Sequence, residues 1–300
     1  MSKIENYSDR YKIMQKIRRV EETILKLFSE GKVSGTTHTY SGQEANAVGV
    51  ISHLNHEIDR IISNHRCHGH FLAYGGPVVQ LLGEVLGKEI GACKGRGGSQ
   101  HLKWKTFSSN GVLGGGVPVA IGMAMGIKRR KSKGIVTIFL GDGAMGEGTI
   151  YESLNIASLW KLPILFIIEN NRYAQTTPIA LNLAGSLVDR AKPFGIDVDE
   201  IESMDVDELY EWGEYQVKQV RKTRSPRWGV IHTYRFNAHS KGDDTRDPCE
   251  IEEILSYDPI LLQANRMNEK EINVINQSIE TEIEQALLEI EDSKLGVNIL

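Results

Sequence analysis

The chain has 300 residues, 40% hydrophobic and 25% charged, with a formal net charge of −4. That length carries one large α/β domain or two small ones, and the charge balance argues against nucleic acid or a membrane surface as a partner. No run approaches the roughly eighteen apolar residues of a membrane span, and the charged start, MSKIENYSDRYKIMQKIRR, does not read as a signal peptide.

In chain order, Ser8 or Asp9 is placed to cap a first helix. Its Ile13, Ile17, Val20, Ile24, Leu27 and Phe28 recur at helical spacing, and Gly31 ends it. A Gly/Thr/His-rich connector leads to a second helix from Ala45 to Leu54. DRIISN reads as a short buried strand ending at Asn64-His65-Arg66, and residues 77–90 read as helix. Residues 91–116 are crowded with glycine and hold no period, and a loop of that length inside a compact domain is usually functional. Helix returns over 117–131, small on one side at Val119, Ala120, Gly122, Ala124 and Gly126, a candidate contact surface. The basic run 128–133 reads as its solvated end.

GIVTIFL is then a buried strand, Gly148 to Trp160 a helix, and LPILFIIEN a second buried strand. Two continuous apolar strands joined by a helix make a βαβ unit. The expected fold is therefore α/β, a mostly parallel sheet with helices on both faces. A helix near 207–222, a strand GVIHTYR, a polar loop FNAHSKGDDTRDP and a charged helix over 270–291 complete the reading. The simplest organisation is one domain over 1–300 with a helical tail from about residue 250. Cys67, Cys93 and Cys249 lie far apart without C-x-x-C spacing, so no disulfide framework or zinc site is expected and a reducing cytoplasm fits.

Gly141-Asp142-Gly143 follows the first buried strand and Asn170-Asn171 the second, with 26 residues between Gly143 and Asn170. Ligands of open parallel sheets collect at the C-terminal strand ends. An Asp oxygen, an Asn oxygen and a backbone carbonyl suit Mg²⁺. The bare N–H groups of Gly143 and Ala144 form an anion cradle. Metal and cradle together point to a diphosphate. A nicotinamide site has little support, since GRGGSQ lacks the G-x-G-x-x-G spacing and follows a helix.

GDG followed by NN resembles the thiamin-diphosphate motif. From about residue 12 to 248 the chain is similar to the alpha subunit of two-subunit 2-oxo acid and acetoin dehydrogenases, the thiamin-dependent E1 component. HTYSGQEA (38–45) resembles the active-site histidine segment, HRCHGH (65–70) the segment YRxHG, and GRGGSQH (95–101) the segment GKGGSMH. NGVLGGGVP (110–118) resembles NGIVGAQVP, ENNRYAQTTP (169–178) follows the family closely, and YRFNAHS (234–240) resembles YRYHGHS.

The resemblance implies Mg²⁺ on Asp142, Asn171 and the Tyr173 carbonyl. It implies the diphosphate on Gly141, Gly143, Ala144, His65, Arg66 and His239, with Gly111 and Leu113 supporting the bent cofactor. His38 would face the reacting carbon, with His68 near the same entrance and His239 also catalytic. The chain departs from the family at His65 for Tyr, Gly116 for Gln and Arg96 for Lys, which puts substrate identity in doubt.

In the family the carboxylate that activates the aminopyrimidine comes from a beta-type subunit, and this chain shows no second domain to supply it. An α₂β₂ assembly is implied, with a small 2-oxo acid or acetoin as substrate and a lipoyl acyltransferase as a further partner. Two readings compete: a thiamin-dependent transferase or carboligase with an aldehyde acceptor, and a non-catalytic partner that retains the fold.

Overall fold

The computed structural model describes residues 6–240 and 242–296. Residues 1–5, 241 and 297–300, with part of the stretch read as lacking a signal and both ends of the 1–300 span, lie outside them. Helix α1 (Tyr7–Ser29) turns Met14, Ile17, Val20, Ile24 and Leu27 inward. Its cap is Asn6 rather than Ser8 or Asp9: the Asn6 side chain accepts from Asp9 N at 2.7 Å, satisfying an N–H the helix itself cannot. Next come α2 (Glu44–Ile51), β1 (Arg60–Ser63), α3 (Cys67–Ala73) and α4 (Val78–Val85). The glycine-rich stretch holds two short strands, β2 (Lys103–Trp104) and β3 (Phe107–Ser109). The elements α5 (Gly116–Arg129), β4 (Val136–Gly141), α6 (Gly148–Leu159) and β5 (Ile164–Asn170) fall close to their expected bounds.

A small hairpin of β6 (Tyr173–Ala174) and β7 (Thr177–Pro178) leads to α7 (Ile179–Asn182), then β8 (Asp197–Glu202), α8 (Val206–Thr223) and β9 (Arg227–His232). Helices α9 (Pro248–Leu255), α10 (Pro259–Ala264) and α11 (Glu269–Glu291) follow.

The seven-stranded sheet runs β2-β3-β1-β4-β5-β9-β8, and every pair is parallel except β2 with β3. Successive side chains of its central strands turn to opposite buried faces. Phe139, Leu165 and Ile167 face one core with α1, α2, α3, α4, α8 and α11, while Ile138, Leu140, Phe166 and Ile168 face the other with α5 and α6. This two-sided burial is why the strands read as unbroken apolar runs. On the first face α2 and α8 cross at bare backbone: a Cβ on Gly49 would stand 2.7 Å from the Leu209 carbonyl carbon, and one on Gly213 would stand 3.1 Å from Val50 Cα.

Helix α11 lies in that same core. Ile279, Ile283, Ala286 and Ile290 are buried, Lys16 Nζ meets Glu282 at 2.7 Å and Lys88 Nζ donates to Ser293 O at 2.9 Å. Among the described residues no helix is long and apolar enough to cross a membrane.

Strand β1 continues into α3 on the first face, whereas β4 continues into α6 on the second. Their C-terminal ends therefore open a crevice between diverging connections, the usual ligand position in such sheets.

Candidate active site

Three strand ends supply the crevice. Asn64-His65-Arg66 follows β1, Asp142-Gly143-Ala144 follows β4, and Asn171 to Gln175 follows β5. They line one cavity of about 280 Å³, together with Gly141, Leu113, Gln43 and His239.

Its acidic wall is Asp142, 1% exposed, whose Oδ2 has no hydrogen-bond partner. Burial lifts the carboxyl to about 6, against backbone N–H groups including those of Gly143 and Asn171. Gly143 and Ala144 lie in a short 3₁₀ turn, Asp142–Gly146, that precedes α6. A Cβ on Gly143 would stand 2.9 Å from Ala174 Cβ, so the hairpin presses directly on this turn. Asn171 Nδ2 donates to Gln43 Oε1 at 3.1 Å and its Oδ1 accepts from Tyr173 N at 3.3 Å. Arg172, at φ 69°, takes the left-handed turn between the two, so both Asn171 and Tyr173 reach the cavity. An unpartnered buried carboxylate oxygen beside an amide and a carbonyl oxygen is a donor set that fits a hard divalent cation.

The opposite wall is cationic. Arg66 is buried, and among the described residues its guanidinium donates to neutral acceptors alone: Thr39 O at 2.8 Å, His239 Nδ1 at 3.0 Å and His239 O at 3.2 Å. Arg235, 1% exposed, donates to Gln175 O at 2.6 Å and Asn237 O at 2.9 Å, and its Nε is unpartnered. Burial first, then Arg235, pulls Arg66 down to about 9. A desolvated guanidinium in the cavity wall, Arg66, with the charge of Arg235 nearby and no carboxylate bound to either among the described residues, fits an oxyanion such as a diphosphate.

Three imidazoles cluster at the cavity, His65 and His239 in its wall and His38 packed against them. The rings of His38 and His65 lie 4.8 Å apart, those of His38 and His239 4.7 Å, and those of His65 and His239 5.6 Å. Burial, then the Arg66 charge, drives His38 down to about 3 and His239 down to about 4, and lowers His65 well below its usual value. All three are neutral near pH 7 and act as hydrogen-bonding groups rather than stored protons.

Three expected positions differ, the first being His38, which packs on His65 and His239 without lining the cavity. His68 is fully buried, its Nδ1 on Glu21 Oε2 at 2.9 Å and its Nε2 on Ser99 O at 2.9 Å. With both nitrogens engaged it braces α1 against α3 and does not stand at an entrance. Gly111 stays outside the cavity wall and packs on Gln100 and His101. Gln43 and Glu169 belong to the site and were not singled out, although each sits inside a quoted segment, HTYSGQEA and ENN; Arg235, in YRFNAHS, lies outside the cavity wall and acts on it through its charge on Arg66. Glu169 is buried at the cavity floor, hydrogen-bonded by the Tyr40 hydroxyl, by Asn46 Nδ2 at 3.2 Å and by Asn64 Nδ2 at 3.5 Å.

Residues 12–296 match the family described as dehydrogenase E1 component. The chain belongs to that family. This E1 chain is 36% identical over 296 residues to the alpha subunit of acetoin:2,6-dichlorophenolindophenol oxidoreductase of Bacillus subtilis, a match covering 94% of this chain and 88% of the relative. It is 36% identical over 292 residues to the subunit of the same name from Cupriavidus necator, with 93% and 87% covered. It is 32% identical over 303 residues to the pyruvate dehydrogenase E1 component subunit alpha of Rickettsia bellii, with 97% and 93% covered. The E1 family implies thiamin diphosphate, and the anion-seeking wall of this E1 chain is compatible with its diphosphate.

Proposed function

We propose that this chain is the alpha-type subunit of a thiamin-diphosphate- and Mg²⁺-dependent dehydrogenase that cleaves the C–C bond beside a carbonyl in a 2-oxo acid or acetoin. It would pass the acyl group to a lipoyl carrier on an acyltransferase. One observation carries the reading: the buried Asp142 carboxylate, with one oxygen unpartnered, shares a cavity with the buried Arg66 guanidinium, which has no carboxylate bound to it among the described residues. The names of the relatives support the dehydrogenase reading over a transferase or a non-catalytic partner.

Asp142, Asn171 and the Tyr173 carbonyl would hold Mg²⁺. Arg66, His239, His65, Gly141 and the N–H groups of Gly143 and Ala144 would hold the diphosphate, with Leu113 against the bent cofactor. Bound thiamin diphosphate supplies a nucleophilic carbon and an electron sink. The chain's own part is to fix that group, keep water out and present His38 and His239 as neutral hydrogen-bonding groups to the reacting carbonyl. A beta-type partner in an α₂β₂ assembly would supply the carboxylate for the aminopyrimidine, in keeping with the subunit-alpha names of the relatives. The free thiols of Cys67, Cys93 and Cys249 suit a reducing cytoplasm.

Calorimetry with thiamin diphosphate and Mg²⁺, in the presence of the beta-type chain, tests the reading. Asp142→Ala should abolish Mg²⁺-dependent binding and leave the circular dichroism spectrum unchanged. Wild-type affinity in that variant would refute the metal assignment.

A further inference from the structure

Three backbone N–H groups of the glycine-rich stretch converge on one side chain. Glu84, on α4, is fully buried and accepts from Cys93 N at 2.6 Å, Gly95 N at 3.0 Å and Gly97 N at 2.5 Å. Carboxylate oxygens only accept, so they suit three convergent donors, whereas an amide in their place would turn a donor toward them. The wrap requires left-handed backbone at Lys94 (φ 59°), Gly95 (φ 73°) and Gly98 (φ 57°), and a Cβ on Gly91 would stand 2.6 Å from the Glu84 backbone. The glycines of 91–98 are there because the chain is folded around a carboxylate.

The next two residues carry that order to the site. Ser99 Oγ donates to Thr36 O at 2.6 Å, and Gln100 Nε2 lies 3.3 Å from His38 Nδ1. Gln100 stands where the family segment GKGGSMH has Met, so this amide is a feature of the present chain. A side chain on Gly111 would collide with the Gln100 amide oxygen, so Gly111 leaves the space in which Gln100 lies. An amide N–H donating to Nδ1 leaves the His38 proton on Nε2.

We propose that Glu84 is a positioning residue for His38: it folds the 91–101 loop so that Gln100 bonds His38 Nδ1 and holds the ring as the neutral Nε2–H tautomer. The consequence for catalysis rests on the proposed function, in which His38 faces the reacting carbonyl; the arrangement itself does not.

The test uses the full chain without cofactor, labelled with ¹⁵N-histidine, because ring-nitrogen shifts separate the two neutral tautomers from their mixture. The wild type should show His38 protonated on Nε2. Glu84→Gln and Gln100→Met should each give a tautomer mixture at His38, and the double variant should go no further than either alone. Glu84→Asp, which keeps the charge and shortens its reach, takes the place of Glu84→Gln where that chain does not fold. Trypsin should cut at Lys94 and Arg96 at least tenfold faster in the Glu84 variants and at the wild-type rate in Gln100→Met. An unchanged His38 pattern in a folded Glu84 variant, or in Gln100→Met, overturns the proposal. Asp142→Ala should leave the His38 pattern intact, so retained cofactor affinity in that variant would remove the functional reading without touching this one.

Discussion

Asp142 is a buried carboxylate whose Oδ2 has no hydrogen-bond partner among the described residues, and the fold bears the cost. Its value is raised from 3.8 to about 6 by burial, so ionisation is less favourable in the folded chain than in the unfolded one. The penalty is absent below the unfolded value and fully present above the folded one. Asp142→Asn should therefore stabilise the cofactor-free chain near pH 7.5 by about 1–3 kcal/mol and have little effect near about pH 3, as read by thermal melts, while losing Mg²⁺-dependent cofactor binding. His68 has the opposite sign. Burial opposes its charge, but Glu21 outweighs burial and the value is raised. Its stabilising contribution is then present below the unfolded value and lost as pH rises through the folded one. The melting-point gap between wild type and His68→Gln should be widest near about pH 6 and narrow above neutrality; a gap that widens with pH contradicts the ion pair. Motif position was enough to bring Asp142, Arg66 and His239 to one cavity. It could not give the direction of the His68 ring, because that depends on Glu21, 47 residues earlier on another helix.

At the level of elements, the close crossing of α2 and α8 depends on having no side chain at Gly49 and Gly213. Gly213→Ala should cost about 1–3 kcal/mol, measured by urea unfolding, and should weaken cofactor binding as well, since Gln43 sits at the start of α2 and bonds Asn171. Undisturbed stability would mean the helices can slide apart freely. The central elements were legible because β4 and β5 are buried on both faces and α1 on one stripe. The edges were not. Strand β8 reads DVDEIE, with acids along it, because a sheet edge needs no apolar run and charge protects it from further pairing. Helix α3 spans only seven residues and is buried on all sides, so CHGHFLA shows no stripe to read.

For the whole molecule, the main expectation is dependence on a second chain. This protein alone, supplied with thiamin diphosphate, Mg²⁺ and either pyruvate or acetoin, should reduce no artificial electron acceptor, and adding the beta-type chain should start turnover. Activity from the purified single chain would remove the partner argument. The tail expected from sequence is also more than an appendage. Residues of α11 close the core over α1, with Tyr11 Oη donating to Asn276 across 265 positions and Lys16 to Glu282 across 266. During synthesis α1 emerges early and α2, α3 and α4 follow closely, yet the part of its surface that α11 covers waits until some 250 further residues have been added. Until then the flank of α1 and α4 that α11 covers stays open on the nascent chain. Production of this protein should depend on chaperone supply, and ribosomes stalled before α11 should release chains that aggregate.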